Sequence, residues 1–167
     1  TPAMTATVPP PTASASAPPA CEAHDAHDAT ARVVALFANF GPAQLPLLDQ
    51  YYAAQARFKD PFHDVQGVPA ITAIFAHMFE ALHAPRFVFI DQIIGAQQAF
   101  LTWDLHFRFR RWRAHQPERI HGATHLRFDA QGRITLHRDY WDSAEELFEK
   151  FPLLGPGMRW LRKRAAA

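Results

Sequence analysis

Cysteine is almost missing from this 167-residue chain: Cys21 stands alone, which excludes an internal disulfide framework and any multi-cysteine metal cluster. No sign of charge dominates either. Lys plus Arg number 17 against 16 Asp plus Glu, a net charge of +1, whereas a nucleic-acid-binding domain shows a strong basic excess. No apolar run approaches a membrane span, and neither a Gly-rich nucleotide loop nor a P-loop is present, so no cofactor, nucleic acid or membrane partner is expected. What the chain has is apolar bulk. Hydrophobic residues make up 49% and charged residues 20%, enough for the core of one ordinary domain.

Composition divides the chain into three parts. Residues 1–28 hold no Lys or Arg, and Pro2, Pro9–Pro11, Pro18 and Pro19 sit among Ala, Thr and Ser. Such a leader cannot offset its own ordering entropy and is expected to be extended or disordered. It lacks the basic start and continuous apolar run of an export signal, which points to the cytoplasm. His24, Asp25, His27 and Asp28 within it are a weak metal pattern, and no metal is expected. Residues 29–152 carry the regular periodicities of a folded domain. Residues 153–167 form a basic tail with Arg159, Arg162, Lys163 and Arg164.

Helical spacing comes first. Val33, Val34, Phe37 and Phe40 predict a helix ended by Gly41-Pro42. A second helix is predicted over about 43–58, with Leu47, Leu48, Tyr51, Tyr52 and Ala54 on its apolar face, broken before Pro61. A third, over 69–83, places Ile71, Ile74, Phe75, Met78, Phe79 and Leu82 at helical spacing. Period two follows. Strands are predicted over 86–94, 100–113, 118–129 and 133–141, then a short helix from Asp142-Ser143 to about Phe151. One face of the strands gathers Trp103, Leu105, Phe107 and Phe109, then Ile120, Gly122, Thr124, Leu126 and Phe128, then Thr135, His137, Asp139 and Trp141. The other gathers Asp104, His106, Arg108, His121, His125 and Arg127. Helices followed by a long antiparallel sheet make an α+β fold, a half-open cone with an apolar cavity.

Asp60-Pro61-Phe62, the stretch Leu126-Arg127-Phe128-Asp129-Ala130-Gln131-Gly132-Arg133-Ile134, and Asp139-Tyr140-Trp141-Asp142 resemble the NTF2-like superfamily. Within it the likeness is to SnoaL-like domains and ketosteroid isomerase, over about residues 30–151. The resemblance implies a cone of three N-terminal helices on a curved antiparallel sheet. In ketosteroid isomerase the Asp of Asp-Pro-Phe is the general base, and a Tyr and a protonated Asp stabilise the enolate. Carried across, Asp60 matches the base and Tyr52 a supporting tyrosine. The two oxyanion positions fall near Leu36 and on Thr124, and losing one such donor costs about 2.7–4 kcal/mol of barrier. Classical steroid isomerisation is not expected. SnoaL-like polyketide cyclases instead place an acid on the last strand, here Asp139 with His137 two residues before it. Limonene-epoxide-hydrolase-like members use an inward Arg, and Ile120, Gly122 and Thr124 offer none.

Each candidate has a plainer reading. Asp60 is either a base or a turn carboxylate, Asp139 a base or a salt-bridged structural acid, and His137 a proton carrier or a hydrogen-bonded core histidine. As a site, Asp60, His137 and Asp139 would move protons while Tyr52, Phe62, Trp103, Phe107, Thr124 and Trp141 would hold a compact, apolar, oxygenated molecule. The alternative is a non-catalytic ligand-binding or dimerising module. In either case the charged outer sheet face is expected to meet a second copy.

Overall fold

The computed structural model describes residues 23–111, 113–146 and 155–165. Helix α1 (Ala23–Ala38) opens the chain, followed by a 3-10 helix over Pro42–Leu47, α2 (Leu48–Tyr51), β1 (Tyr52–Lys59), β2 (Asp64–Gln66) and α3 (Val68–Ala81). Four strands come next: β3 (Leu82–Ile94), β4 (Gln98–Phe109), β5 (Glu118–Phe128) and β6 (Ile134–Tyr140). Short helices α4 (Ser143–Glu146) and α5 (Gly155–Ala165) close the description. Residues 23–28 of the Pro/Ala-rich leader are therefore helical; residues 1–22, 147–151 of the expected final helix, and 152–154 lie outside the described part. None of the described helices is long and apolar enough to cross a membrane.

The six strands form one open, curved sheet in the order β2-β1-β6-β5-β4-β3. All neighbours are antiparallel except β1 and β6, which run parallel. That edge corrects the second predicted helix. Only residues 42–51 are helical, and Tyr52–Lys59 is a strand. Pro46 stands inside the 3-10 stretch and, having no N–H, cannot donate to the carbonyl four residues back as a continuous α-helix requires. After Tyr52, the burial of Ala56 and Phe58 around exposed Arg57 is strand alternation. Pairing with β6 then overrides the helix propensity of Ala53, Ala54 and Ala56.

α1 buries Ala26, Ala29, Thr30, Val33, Leu36 and Phe37, a stripe at i, i+3, i+4 and i+7, and Phe40 just beyond its end is buried as well. α3 buries Ile71, Phe75 and Phe79. The two meet through aromatic rings, Phe37 on Phe75 at 5.5 Å and Phe40 on Phe75 at 5.1 Å between centroids. Phe58 of β1 reaches the same ring at 5.5 Å. Each fully buried ring contributes about 1.5–3 kcal/mol, so this cluster anchors the helices on the sheet. A second apolar group, Trp103, Leu105, Phe107 and Ile120, lies further along the strands.

The inward faces of β4 and β5 follow the alternation in the sequence, with Ala99, Leu101, Trp103, Leu105 and Phe107 buried on one and Ile120, Gly122, Thr124, Leu126 and Phe128 on the other. β6 departs from it at its start. Phe128 pairs with Ile134 and Arg127 with Leu136, so Thr135 is the extra residue of a bulge. Thr135 is exposed and Ile134 fully buried, the reverse of simple alternation, because a bulge shifts the face by one residue. From His137 onward the predicted face holds.

On the outer face His125 stacks on Phe100 at 4.3 Å between centroids and hydrogen-bonds Gln98 at 2.9 Å. Burial, then the charges of Arg127 and Arg138, lower its pKa from the ordinary 6.5. The folded state thus disfavours a proton that the unfolded chain accepts. Stability should fall as pH drops below about 6.5 and level off below the depressed folded value. Urea unfolding of wild type and His125→Gln between pH 8 and 5 checks this: the variant should lose less stability on acidification, and parallel curves would refute it.

Candidate active site

β6 carries His137 and Asp139 two residues apart, hence on one face, and this face looks into the cone. Asp139 is the direct cross-strand partner of Thr124, and His137 of Leu126. On the next strand, Trp103 faces Gly122. A Cβ on Gly122 would lie 2.4 Å from the Trp103 ring, so only glycine lets the indole lie flat against β5. That placement allows Trp103 Nε1 to donate to Thr124 Oγ1 at 2.8 Å.

From there a chain of hydrogen bonds converges on one carboxylate oxygen. The Thr124 hydroxyl donates to Asp139 Oδ1. His137 Nε2 lies 2.9 Å from the same oxygen, and Tyr52 Oη lies 2.6 Å from His137 Nδ1. The donor directions follow from the chemistry. A carboxylate only accepts, so Nε2 carries the proton and donates to Asp139. Nδ1 then accepts from the Tyr52 hydroxyl, a buried donor whose partner it is. Burial, and after it the negative charge of Asp139, push the Tyr52 pKa well above 10.0, which keeps the phenol a donor. Oδ2 of Asp139 accepts nothing from the described residues, and the side chain is 15% exposed.

Asp139 borders an apolar cavity of about 250 Å³ at the wide end of the cone. α3 supplies Ile74 and Met78, the sheet supplies Leu105, Phe107 and Ile120, and Phe62 and Trp141 meet edge-to-face at 5.4 Å beside it. Asp60 lies on the same wall, but its oxygens are engaged. Oδ1 accepts the backbone N–H of Phe62 at 2.8 Å and of His63 at 2.6 Å, and the His63 ring stands 3.0 Å from both oxygens. This is a carboxylate closing its own turn. The turn is braced by Asp64, whose carboxyl is held well below the usual range by hydrogen bonds from Arg57 and Lys59.

The nine candidate residues therefore fall into two groups. Asp60, Phe62, Trp103, Phe107, Asp139 and Trp141 line the cavity. Tyr52, His137 and Thr124 stand behind it, 1%, 5% and 5% exposed; His137 and Thr124 border only a void of about 20 Å³ between sheet and helices. Sequence reasoning missed His63 and the cavity-facing side of α3. Ile74 and Met78 share the i, i+4 spacing of core residues, so nothing in their pattern separated core from cavity wall. Among the described residues no three His, Cys, Asp or Glu side chains converge as a metal site.

Residues 21–137 match the SnoaL-like domain family. The chain belongs to that family. No curated protein matches it, but solved structures share the SnoaL-like architecture. A protein of ketosteroid isomerase-like fold from Catenulispora acidiphila, solved with trimethylamine, superposes with a TM-score of 0.62 at 16% identity, covering 72% of this chain and 89% of that one. A steroid delta-isomerase from Pseudomonas aeruginosa gives 0.55 at 21% identity, over 86% and 96%. An LEH-like epoxide hydrolase from M. tuberculosis gives 0.59 at 14% identity, over 74% and 82%. At these identities the likeness is one of fold.

Tyr52→Phe isolates the role of the phenol in this SnoaL-like domain. Leaving buried His137 Nδ1 without its donor should cost about 1–3 kcal/mol. Nitrogen-15 NMR should show a single Nε2–H tautomer of His137 in the wild type and a mixture in the variant. A wild-type ring protonated on Nδ1 would reverse the donor assignment.

Proposed function

We propose that this SnoaL-like domain binds a compact, mostly apolar, oxygen-bearing molecule in its cone and moves a proton on it through Asp139. The observation that carries the reading is the asymmetry of that carboxylate. Oδ1 is committed to Thr124 and His137, whereas Oδ2 accepts nothing from the described residues beside an apolar cavity. A fixed base with one open oxygen suits abstraction of a proton next to a carbonyl. Asp60 is the weaker choice, since the backbone of its own turn already occupies Oδ1.

In this scheme Oδ2 takes the proton from the carbon beside the carbonyl, and the electron pair of the C–H bond moves onto the carbonyl oxygen as an enolate. The protonated carboxyl then returns the proton to another carbon, or the enolate carbon attacks a second carbonyl and closes a ring, and the alkoxide formed from that carbonyl takes the proton back from the carboxyl. His137 and Thr124 keep Asp139 in place. The Trp141 indole and the His63 and His77 rings supply the N–H groups beside the cavity for the substrate oxygen. Ring compounds with a C–H between two carbonyls, as in polyketides, need the least help in losing that proton.

The test is exchange of such a proton with solvent deuterium, followed by proton NMR with a cyclic β-diketone and a steroid enone as probes. Asp139→Asn should slow exchange by about 10²–10⁴-fold, while Asp60→Asn should keep it within about tenfold of wild type. Undiminished exchange in the Asp139 variant would end the proposal. Probes that raise the melting temperature without exchanging would favour the non-catalytic ligand-binding reading.

The outer face supports a second copy of the chain as partner. Ile93 and Phe100, cross-strand neighbours, are 75% and 44% exposed, and Tyr140 of the same face is 43% exposed. Sedimentation velocity at micromolar concentration should show a dimer that Ile93→Lys together with Phe100→Lys converts to monomer. A monomeric wild type would refute this.

A further inference from the structure

The opposite end of the outer face, near the start of β3, has a different character. His83 pairs with Arg108 and Arg86 with His106, with a register shift between His83 and Arg86. In a regular strand two residues three apart point to opposite faces. Here one extra residue, with Ala84 at φ 47° ahead of Pro85, restores both to one face. Bulges of this kind re-aim side chains. Directly paired residues stand side by side, so His83, Arg108, Arg86 and His106 form a two-by-two array, with the guanidinium groups at diagonal corners. The array is on the reverse of the strand from Leu105 and Phe107, away from the cone.

The acids near it have partners of their own. The four residues border a groove of about 360 Å³ whose other lining includes Pro117 and Glu118. Glu118 is the cross-strand partner of Phe107, on the inward side. Its carboxylate is buried and lies 3.6 Å from Arg113. Asp104, on the same face as the array, is held by Arg119 at 3.1 Å and His121 at 2.8 Å. Arg57 pairs with Asp64 at 2.6 Å and Arg133 with Asp129 at 3.0 Å, whereas Arg86 and Arg108, like Arg127 and Arg138 of the same face, have no ion pair among the described residues. The two guanidinium groups repel one another across the diagonal of the array, and a bound anion would offset that repulsion.

We propose that this groove binds the phosphate-type oxyanion of a small molecule. Two guanidinium forks and two imidazoles present more N–H donors than a single carboxylate can accept, and arginine forks match tetrahedral oxyanions in geometry. A groove of this size accommodates a phosphorylated metabolite-sized ligand. The site is on the far side of the sheet from Asp139 and stands or falls independently of the proton-transfer reading.

Pyrophosphate and inorganic phosphate are the probes, titrated against the whole chain at constant ionic strength with chloride as reference. Pyrophosphate should raise the melting temperature and shift the amide signals of His83, Arg86, His106 and Arg108. Arg86→Gln with Arg108→Gln should weaken binding by at least about tenfold, while Arg32→Gln on α1 should leave it unchanged. Without anion, the double variant should melt no lower than wild type, since a repulsion has been removed. Equal stabilisation of wild type and double variant, a response no greater than to chloride, or association only with phosphatidate vesicles would each overturn the proposal.

Discussion

A line of side chains, Trp103, Thr124, Asp139, His137 and Tyr52, crosses the floor of the cone and draws one residue or more from each of β4, β5, β6 and β1. Burying a carboxylate this deeply is tolerable only where donors satisfy it, and both of its immediate donors are themselves held by a further partner. The indole fixes the threonine and the phenol fixes the imidazole. Because each member of the line is held by the next, the line acts as a unit, and the orientation of Asp139 is set through Oδ1 by Thr124 and His137, which stand behind the cavity. Such networks rigidify a core more than separate bonds do.

The cavity has an equally simple cause. α1 and α3 cover the sheet where Phe37, Phe40 and Phe75 interlock, but the strands continue beyond the cover. The rings of Trp103 and Phe107 then have helix against only part of their surface, and the turn bearing Asp60 and Phe62 reaches across from β1. An unfilled space walled by aromatic groups is what remains, and Asp139 stands at the boundary between packed core and open end. The SnoaL-like fold thus divides its own sheet into a half packed under helices and a half that walls a cavity.

Much of this was legible in the sequence. Strict alternation through Trp103, Leu105 and Phe107, and again through Ile120, Gly122, Thr124 and Leu126, gave the inward faces of β4 and β5. The same logic put His137 and Asp139 inside. It failed at Thr135, since a bulge leaves no mark in hydrophobic pattern. It failed also at Tyr52–Lys59, where alanines mimic a helix face and only the partner strand β6 decides the matter. Asp60 shows a different limit. Its motif marked the right turn, but the hydrogen bonds of Phe62 and His63 that occupy its oxygen depend on backbone geometry that a motif does not encode.

The parallel union of β1 with β6 brings together residues 85 positions apart in the bond between Tyr52 and His137. Contacts of such separation are the slowest to form, because the intervening chain must first be organised. A ribosome must therefore release nearly the whole domain before the imidazole can find its phenol. Until then the nascent chain holds β1 with only its short hairpin partner, an unpaired edge that invites association with other chains.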